Sequence, residues 1–403
     1  MAKLRILMVA DVSPLEPHGG ASRVLREQSQ RLAARGHEVT VLSRQPEGAV
    51  PADSAVAGVR VRHYDVSRAH ALAFFWSSIA GARRGYRDAL AGRPWDRVIL
   101  HQPLSAVGVR RLLPRAAPRI YMFLSPASAE YRLRAEHPSG RRSLLPAPLA
   151  AALLRRVEYA ALKTAQRVVV MSEYMRGELA AVHPRGTPPV VLIPGGVDLR
   201  QFRPAEDRMA VRRALGLPAD RLLFLTVRDL HPRMGLDALI RAVGALREAL
   251  PLMLVVGGQG PLRTALEAQV GRMGLAGHVR FVGHIAEADL PRYYQAADCF
   301  VLPTRALEGF GLVTVEALAC GTPVLGTPVG ATPEILMPLA RDLLTDDASP
   351  EALARGLRRV ASVCPDAAFR ARCRAYAEAR YDWETAVDRL EDLLVGLSPG
   401  AEG

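Results

Sequence analysis

Apolar positions run along the chain in short, almost unbroken blocks separated by amphipathic stretches, and this rhythm occurs twice. Leu4–Ala10 is followed by a Gly19-Gly20 turn, an amphipathic stretch from Ala21 to Arg35, a stop at Gly36 and a second run, Glu38–Ser43. A strand covered on both faces reads as a near-continuous apolar run, and glycine after Arg35 is a helix C-terminal signal, so the spacing predicts β-loop-α-β in a parallel sheet. Further strands are predicted at Val59–Tyr64, Arg97–His101, Ile120–Leu124, Arg167–Ser172 and Val190–Pro194. After Pro204 the rhythm restarts, with strands at Leu222–Val227, Met253–Gly257, Val279–Gly283, Cys299–Leu302 and Pro323–Gly326. The expected fold is α/β, with two doubly wound, Rossmann-like parallel-sheet domains.

The turn-rich segment from Pro194 to Pro204 is the expected hinge, dividing a domain at 1–195 from one at 196–380. Trp383–Val395 carries apolar residues at Ala386, Val387, Leu390, Leu393 and Leu394, a helical period that must pack against something. The segment 381–397 is therefore read as a helix crossing back to the first domain, with 398–403 as a disordered tail.

Length and composition agree with two domains. At 403 residues, with 49% hydrophobic and 23% charged residues, the chain is too long for one ordinary core and too apolar for extensive disorder. No apolar run of about 18 residues exists, and residues 1–10 lack a cleavage region, so a cytoplasmic protein without a signal peptide is expected. The net charge of +13 favours anionic partners. Lysine occurs only at Lys3 and Lys163, however, and the Arg, Ala, Gly and Pro usage suggests a GC-rich bacterial genome as much as a function. With aromatics at only 5%, stacking platforms are scarce and no nucleic-acid partner is expected. Cys299, Cys320, Cys364 and Cys373 show no CxxC spacing, which argues against a zinc site or disulfide framework.

Residues 298–336, DCFVLPTRALEGFGLVTVEALACGTPVLGTPVGATPEIL, carry the strongest chemical signal. A buried strand leads into an acidic-Gly-aromatic-Gly loop and a helix beginning near Gly311, whose free N–H groups suit an anionic or hydroxyl-rich ligand. Gly309 and Gly311 allow close backbone approach. Glu308 is placed to accept hydrogen bonds from sugar hydroxyls, and Glu316, one to two turns into the helix, to reach a ribose diol.

On this string the chain resembles retaining GT-B glycosyltransferases of family 4, whose hallmark is a Glu, seven intervening residues and a second Glu. PHGGASRVLREQSQRLAARGHEVTVLS, IPGGVDLRQFRP, VVGGQGPLRTALE and VRFVGHIAEADLPRYYQAADCFVLPTR extend the likeness over nearly the whole chain. The resemblance implies two domains facing an interdomain cleft and a nucleotide diphosphate sugar (UDP or GDP) as donor. Glu308 would take the sugar hydroxyls, the backbone of Gly309, Phe310, Gly311 and Leu312 the sugar and diphosphate, and Glu316 the ribose. Gly283, His284 and Ile285 would lie along the base, and Gly19 and Gly20 would approach the diphosphate. His101 matches a position where the family often carries a histidine. The resemblance also implies front-face attack with no covalent enzyme nucleophile, no cofactor and no essential metal. Arg228 and Arg233 are then the expected diphosphate clamp, because guanidinium binds phosphate bidentately and keeps its charge.

Two departures stand out. Aligned on Gly235, Asp229 and Met234 occupy positions where the family more often has cations. After Ile120–Phe123 the family commonly places a histidine near the C6 hydroxyl of the donor hexose, whereas this chain has Leu124. An apolar pocket stops rewarding that hydroxyl, which suggests a donor modified at C6. Ser125, Ser128 and Glu130 in the following loop are candidate acceptor contacts. Arg141–Thr164 is basic and partly amphipathic, which leaves weak peripheral membrane contact open beside an ordinary solvated helix.

The expected activity is transfer to a small polar or specialised-metabolite acceptor. Alternatives are a cell-envelope or lipid-linked acceptor, an epimerase, and a non-catalytic nucleotide-sugar-binding auxiliary protein. Donor nucleobase, sugar and oligomeric state stay open.

Overall fold

The computed structural model describes residues 3–16, 19–48, 50–135 and 146–398. It divides into two compact units, Met1–Pro194 together with Trp383–Gly403, and Gly195–Asp382.

The first unit holds β1 (Arg5–Ala10), β2 (Glu38–Arg44), β3 (Asp53–Val56), β4 (Val59–Tyr64), β5 (Arg97–Leu100), β6 (Arg119–Met122), β7 (Arg167–Val170) and β8 (Val190–Leu192). They form one eight-stranded sheet in the order β3-β4-β2-β1-β5-β6-β7-β8. Ile6, Leu7, Val98, Ile99, Ile120 and Val168 are fully buried, as strands covered on both faces require.

The sheet is parallel as expected except for one short strand added at its edge. β3 pairs antiparallel with β4 across a turn at Ala57 and Gly58, both at positive φ. This strand is four residues long with exposed alternate positions at the sheet edge, so it carries none of the apolar continuity that marks its neighbours.

The second unit holds β9 (Leu222–Val227), β10 (Leu252–Gly257), β11 (Val279–Gly283), β12 (Cys299–Leu302) and β13 (Val324–Gly326), all parallel, in the order β11-β10-β9-β12-β13. All four cysteines are buried thiols.

The strand order reverses direction beside β1, which lies between β2 and β5, and beside β9, which lies between β10 and β12. In open α/β sheets such switch points open a crevice at the carboxyl ends of the two central strands, where ligands bind. The loops after β1 and β5, and after β9 and β12, are therefore where chemistry is to be sought.

The last helix, Trp383–Gly396, packs on the first unit against helix Gly20–Ala34. Arg35 pairs with Glu384, Asp388 and Glu391 at 3.0, 2.7 and 2.9 Å, and His37 meets Glu391 at 2.9 Å. Of the expected tail, Ser398 is described, and its carbonyl accepts from Gln166 at 3.3 Å; 399–403 lie outside the described residues. The basic stretch 141–164 is described from Pro146 onward, as helix Ala147–Leu162. Among the described residues no helix is long and apolar enough to cross a membrane.

Candidate functional site

At the second unit's switch point, β9 runs into Arg228 and β12 into the loop that carries Glu308. The two side chains meet: Arg228 Nη2 donates to Glu308 Oε2 at 2.6 Å, and both side chains are more than nine-tenths buried. Thr304 Oγ1 donates to the same carboxylate oxygen at 3.0 Å. Glu308 is thus held through one oxygen by two donors. Its Oε1 faces Gly311, lying 3.7 Å from where a Cβ on that glycine would stand. Charge-assisted bonds of this kind are the strong ones, and a buried carboxylate without them would be costly.

The loop is packed from below by glycines with no room for a side chain. Gly330, at φ +64, would drive a Cβ into the carbonyl oxygen of Glu308, and Gly235, at φ +71, into that of Pro303. Ala331 N donates to the Glu308 carbonyl at 2.9 Å. Leu307 itself sits at φ 57, an uncommon conformation for a branched side chain.

Helix Leu312–Ala319 opens at Gly311, at φ 87, so its first N–H groups begin four residues after Glu308. The backbone of Gly309 to Leu312 therefore lies at a positive dipole end, as the sequence implied. Phe310 is buried edge-on against Tyr381 at 5.8 Å, which anchors the loop from its apolar side. Glu316 is 2% exposed and accepts from Tyr294 Oη at 3.1 Å.

The two candidate clamp arginines are placed differently. Arg228 Nη2 also lies 3.0 Å from Met234 Sδ, so its guanidinium stands where Met234 brings no charge. Arg233 Nη1 donates to the carbonyls of Leu307 and Ala306 at 2.9 and 3.4 Å, supporting the strained turn ahead of Glu308. Gly283, His284 and Ile285 follow β11. Gly258 N donates to the Gly283 carbonyl at 2.6 Å, and a side chain on Gly258 would strike the Arg228 carbonyl, so the ends of β9, β10 and β11 are in direct contact. Ile285 is buried over Gly257, while His284 is exposed.

The first unit's switch point is built otherwise. His101, directly after β5, is 2% exposed and, among the described residues, neither ring nitrogen has a partner. Burial alone pushes its pKa down to about 3, so the ring is neutral at ordinary pH. Asp11, directly after β1, accepts from the backbone N–H groups of Ser105 and Leu104 at 2.7 and 3.1 Å and from Tyr64 Oη at 3.3 Å. Burial raises its pKa, against hydrogen bonds that lower it. Sequence reasoning passed over Asp11. The available signal was a lone acid ending a six-residue apolar strand at a predicted carboxyl edge.

Leu124 and Ser125, half-buried, follow β6, and Ser128, buried, opens helix Ala127–Ala135, which also carries half-buried Glu130. Gly19, at φ +97, and Gly20 begin helix Gly20–Ala34 and are exposed. Glu158 and His183, whose side chains meet at 3.0 Å, were likewise unmarked by sequence, because a buried partner and an exposed one read alike in a linear string.

Comparison with known proteins agrees with this architecture. Residues 18–201 match the family described as Glycosyltransferase Family 4, and residues 207–380 match Glycosyl transferases group 1. The D-inositol 3-phosphate glycosyltransferase of Streptomyces scabiei (strain 87.22) is 32% identical over 386 residues, covering 91% of this chain and 84% of that one. The GDP-mannose-dependent alpha-(1-6)-phosphatidylinositol monomannoside mannosyltransferase of Mycobacterium tuberculosis (strain CDC 1551 / Oshkosh) is 29% identical, covering 97% and 98%. Among solved structures, sucrose-phosphate synthase from Thermosynechococcus elongatus superposes with a TM-score of 0.82 at 23% identity, covering 96% of this chain and 98% of that one. The fold is GT-B, and the chain belongs to glycosyltransferase family 4. It is a glycosyltransferase.

Proposed function

We propose that this glycosyltransferase moves a sugar from a nucleotide diphosphate sugar, with UDP or GDP as the nucleotide, to a hydroxyl of a small polar acceptor, retaining configuration and needing no metal. The observation that carries the reading is the Arg228–Glu308 pair at the second unit's switch point, beside the N-terminus of helix Leu312–Ala319. A diphosphate needs positive charge that survives burial, and Arg228 with the helix end supplies it. A sugar needs acceptors for its hydroxyls, and Glu308 Oε1 is the oxygen left for them. In front-face transfer the bond from the anomeric carbon to the diphosphate oxygen breaks. The acceptor hydroxyl bonds to the same face and passes its proton to the departing diphosphate oxygen. The residues stabilise charge and position groups, and none becomes covalently linked.

The specialised-metabolite expectation narrows to polyol-type acceptors, because the relatives' names carry inositol phosphate and phosphatidylinositol mannoside. Leu124 supports a donor modified at C6, since a leucine gives a 6-hydroxyl no partner. A lipid-linked acceptor is the second reading. It is favoured by Trp76 and Leu149, which are 61% and 60% exposed on helices Ala71–Ala89 and Ala147–Leu162 of the first unit.

The deciding experiment incubates the chain, with EDTA present, with UDP- and GDP-sugars and either inositol 3-phosphate or phosphatidylinositol vesicles, following nucleotide release and product. Transfer with the anomeric configuration kept supports the reading. Inversion, a requirement for metal, or no turnover of any donor overturns it. Preference for an unmodified hexose over its 6-deoxy counterpart overturns the C6 assignment alone.

A further inference from the structure

Glu158, in helix Ala147–Leu162, is 1% exposed, and ionisable groups that deep persist only when paired. One of its oxygens, Oε2, lies 3.0 Å from His183 Nε2. The other, Oε1, accepts from the backbone N–H of Ala127 at 3.1 Å. His183 is 4% exposed, closes helix Glu173–Val182 and stacks on Tyr159 at 5.8 Å. Burial pushes the Glu158 carboxyl up while His183 and Ala127 pull it down. A single carboxylate thus ties together three segments that are 31 and 25 residues away from it or part of its own helix. For packing alone, apolar side chains of the same volume would serve as well or better. What a polar clamp adds is a defined position for one N–H, and that N–H begins helix Ala127–Ala135, directly after Leu124, Ser125 and Pro126.

We propose that Glu158, held by His183, is a positioning residue for the acceptor side of the reaction, fixing the Ser125–Ser128 turn through the Ala127 N–H. The assignment rests on the function proposed above, with Ser125 and Ser128 taken as acceptor contacts. A carboxylate at the first helical position also complements the helix dipole, so removing it frees the first turn to fray. The loop then samples several positions, acceptor binding weakens, and nucleotide binding by the second unit is untouched.

The test compares wild type with Glu158→Ala and Glu158→Gln, the latter keeping an oxygen for Ala127. In Glu158→Ala, amide exchange over residues 122–130 should speed by about tenfold or more while residues 304–316 keep their rates. The KM for inositol 3-phosphate should rise at least about fivefold, with UDP or GDP binding within twofold and Glu158→Gln largely restored. Unchanged exchange at 122–130, or equal loss of acceptor and nucleotide binding, overturns the proposal. If Glu158→Ala does not fold, His183→Ala is read by the same two criteria. Should wild type turn over no donor with either acceptor, the functional reading fails, and the exchange rates still decide whether the clamp exists.

Discussion

The two switch points sit at equivalent places in their sheets yet are furnished oppositely. The second unit places a buried ion pair, Arg228–Glu308, next to a helix N-terminus, so charge is already arranged where a charged ligand would arrive. The first unit places an uncharged imidazole, His101, and a carboxylate, Asp11, whose oxygens are taken by backbone N–H groups and Tyr64. One site presents a cation beside a helix end, and the other a neutral imidazole and a carboxylate already held by its neighbours. The same strand order therefore specifies where a site is, while the side chains after the central strands specify what it binds.

The contrast breaks most sharply at Arg228. Arg228→Ala leaves Glu308 buried without its cation, and transfer should fall by about 10²–10³, the scale of losing one preorganised charge contact. Arg228→Lys should recover part of it, and steady-state rates with saturating donor check both. Activity within tenfold of wild type would remove the ion pair from the mechanism.

A smaller loss is expected at Gly330, where Ala meets both a positive φ and the Glu308 carbonyl. The conformational strain alone is worth roughly 1–3 kcal/mol, visible as a lower Tm together with weakened nucleotide binding. Gly271→Ala is the control, because a Cβ there has open space.

On the other side the neutral histidine makes a pH prediction. His101 has a folded pKa of about 3 against about 6.5 unfolded, so between these values the unfolded chain binds more protons. Its contribution is fully present above about pH 6.5 and declines as pH falls, by up to about 1.4 kcal/mol per unit. His101→Gln should flatten the acid limb of stability measured by urea titration between pH 4 and 6. An unchanged slope would mean that His101 charges within the fold.

The mildest change is Leu124→His, which offers a polar partner where the leucine has none. It should shift kcat/KM toward a 6-hydroxylated donor by several-fold, within the roughly 10–200-fold reach of single pocket contacts. No shift would detach Leu124 from the donor.

Much of this was legible in the linear string, for identifiable reasons. Ile6–Ala10 and Leu223–Thr226 announce central parallel strands because both faces are covered and every position is apolar or small. EGFGLVTVE announces a loop that turns into a helix because its glycines and acids sit at a strand end. Asp53–Val56 was missed because an edge strand half open to solvent has no such pattern. The Arg228–Glu308 bond spans 80 residues and joins different strands, so no local pattern reports it. For the same reason Arg233 read as a phosphate ligand, although in the fold its Nη1 supports the carbonyls of Ala306 and Leu307. Glu158 and Asp11 went unmarked because burial is a property of the fold and leaves no mark in composition.

The C-terminal helix has a consequence for the order in which the protein is made. The first unit is interrupted at Pro194 and resumes at Trp383, so the whole second unit is synthesised before the first has its last helix. Until then Arg31, Arg35 and His37 wait without the carboxylates of Glu384, Asp388 and Glu391. The first unit therefore cannot complete its fold ahead of the second, a departure from the usual amino-terminal-first order. A chain released early, before residue 383, would carry a complete second unit joined to a first unit with an open, positively charged helix face.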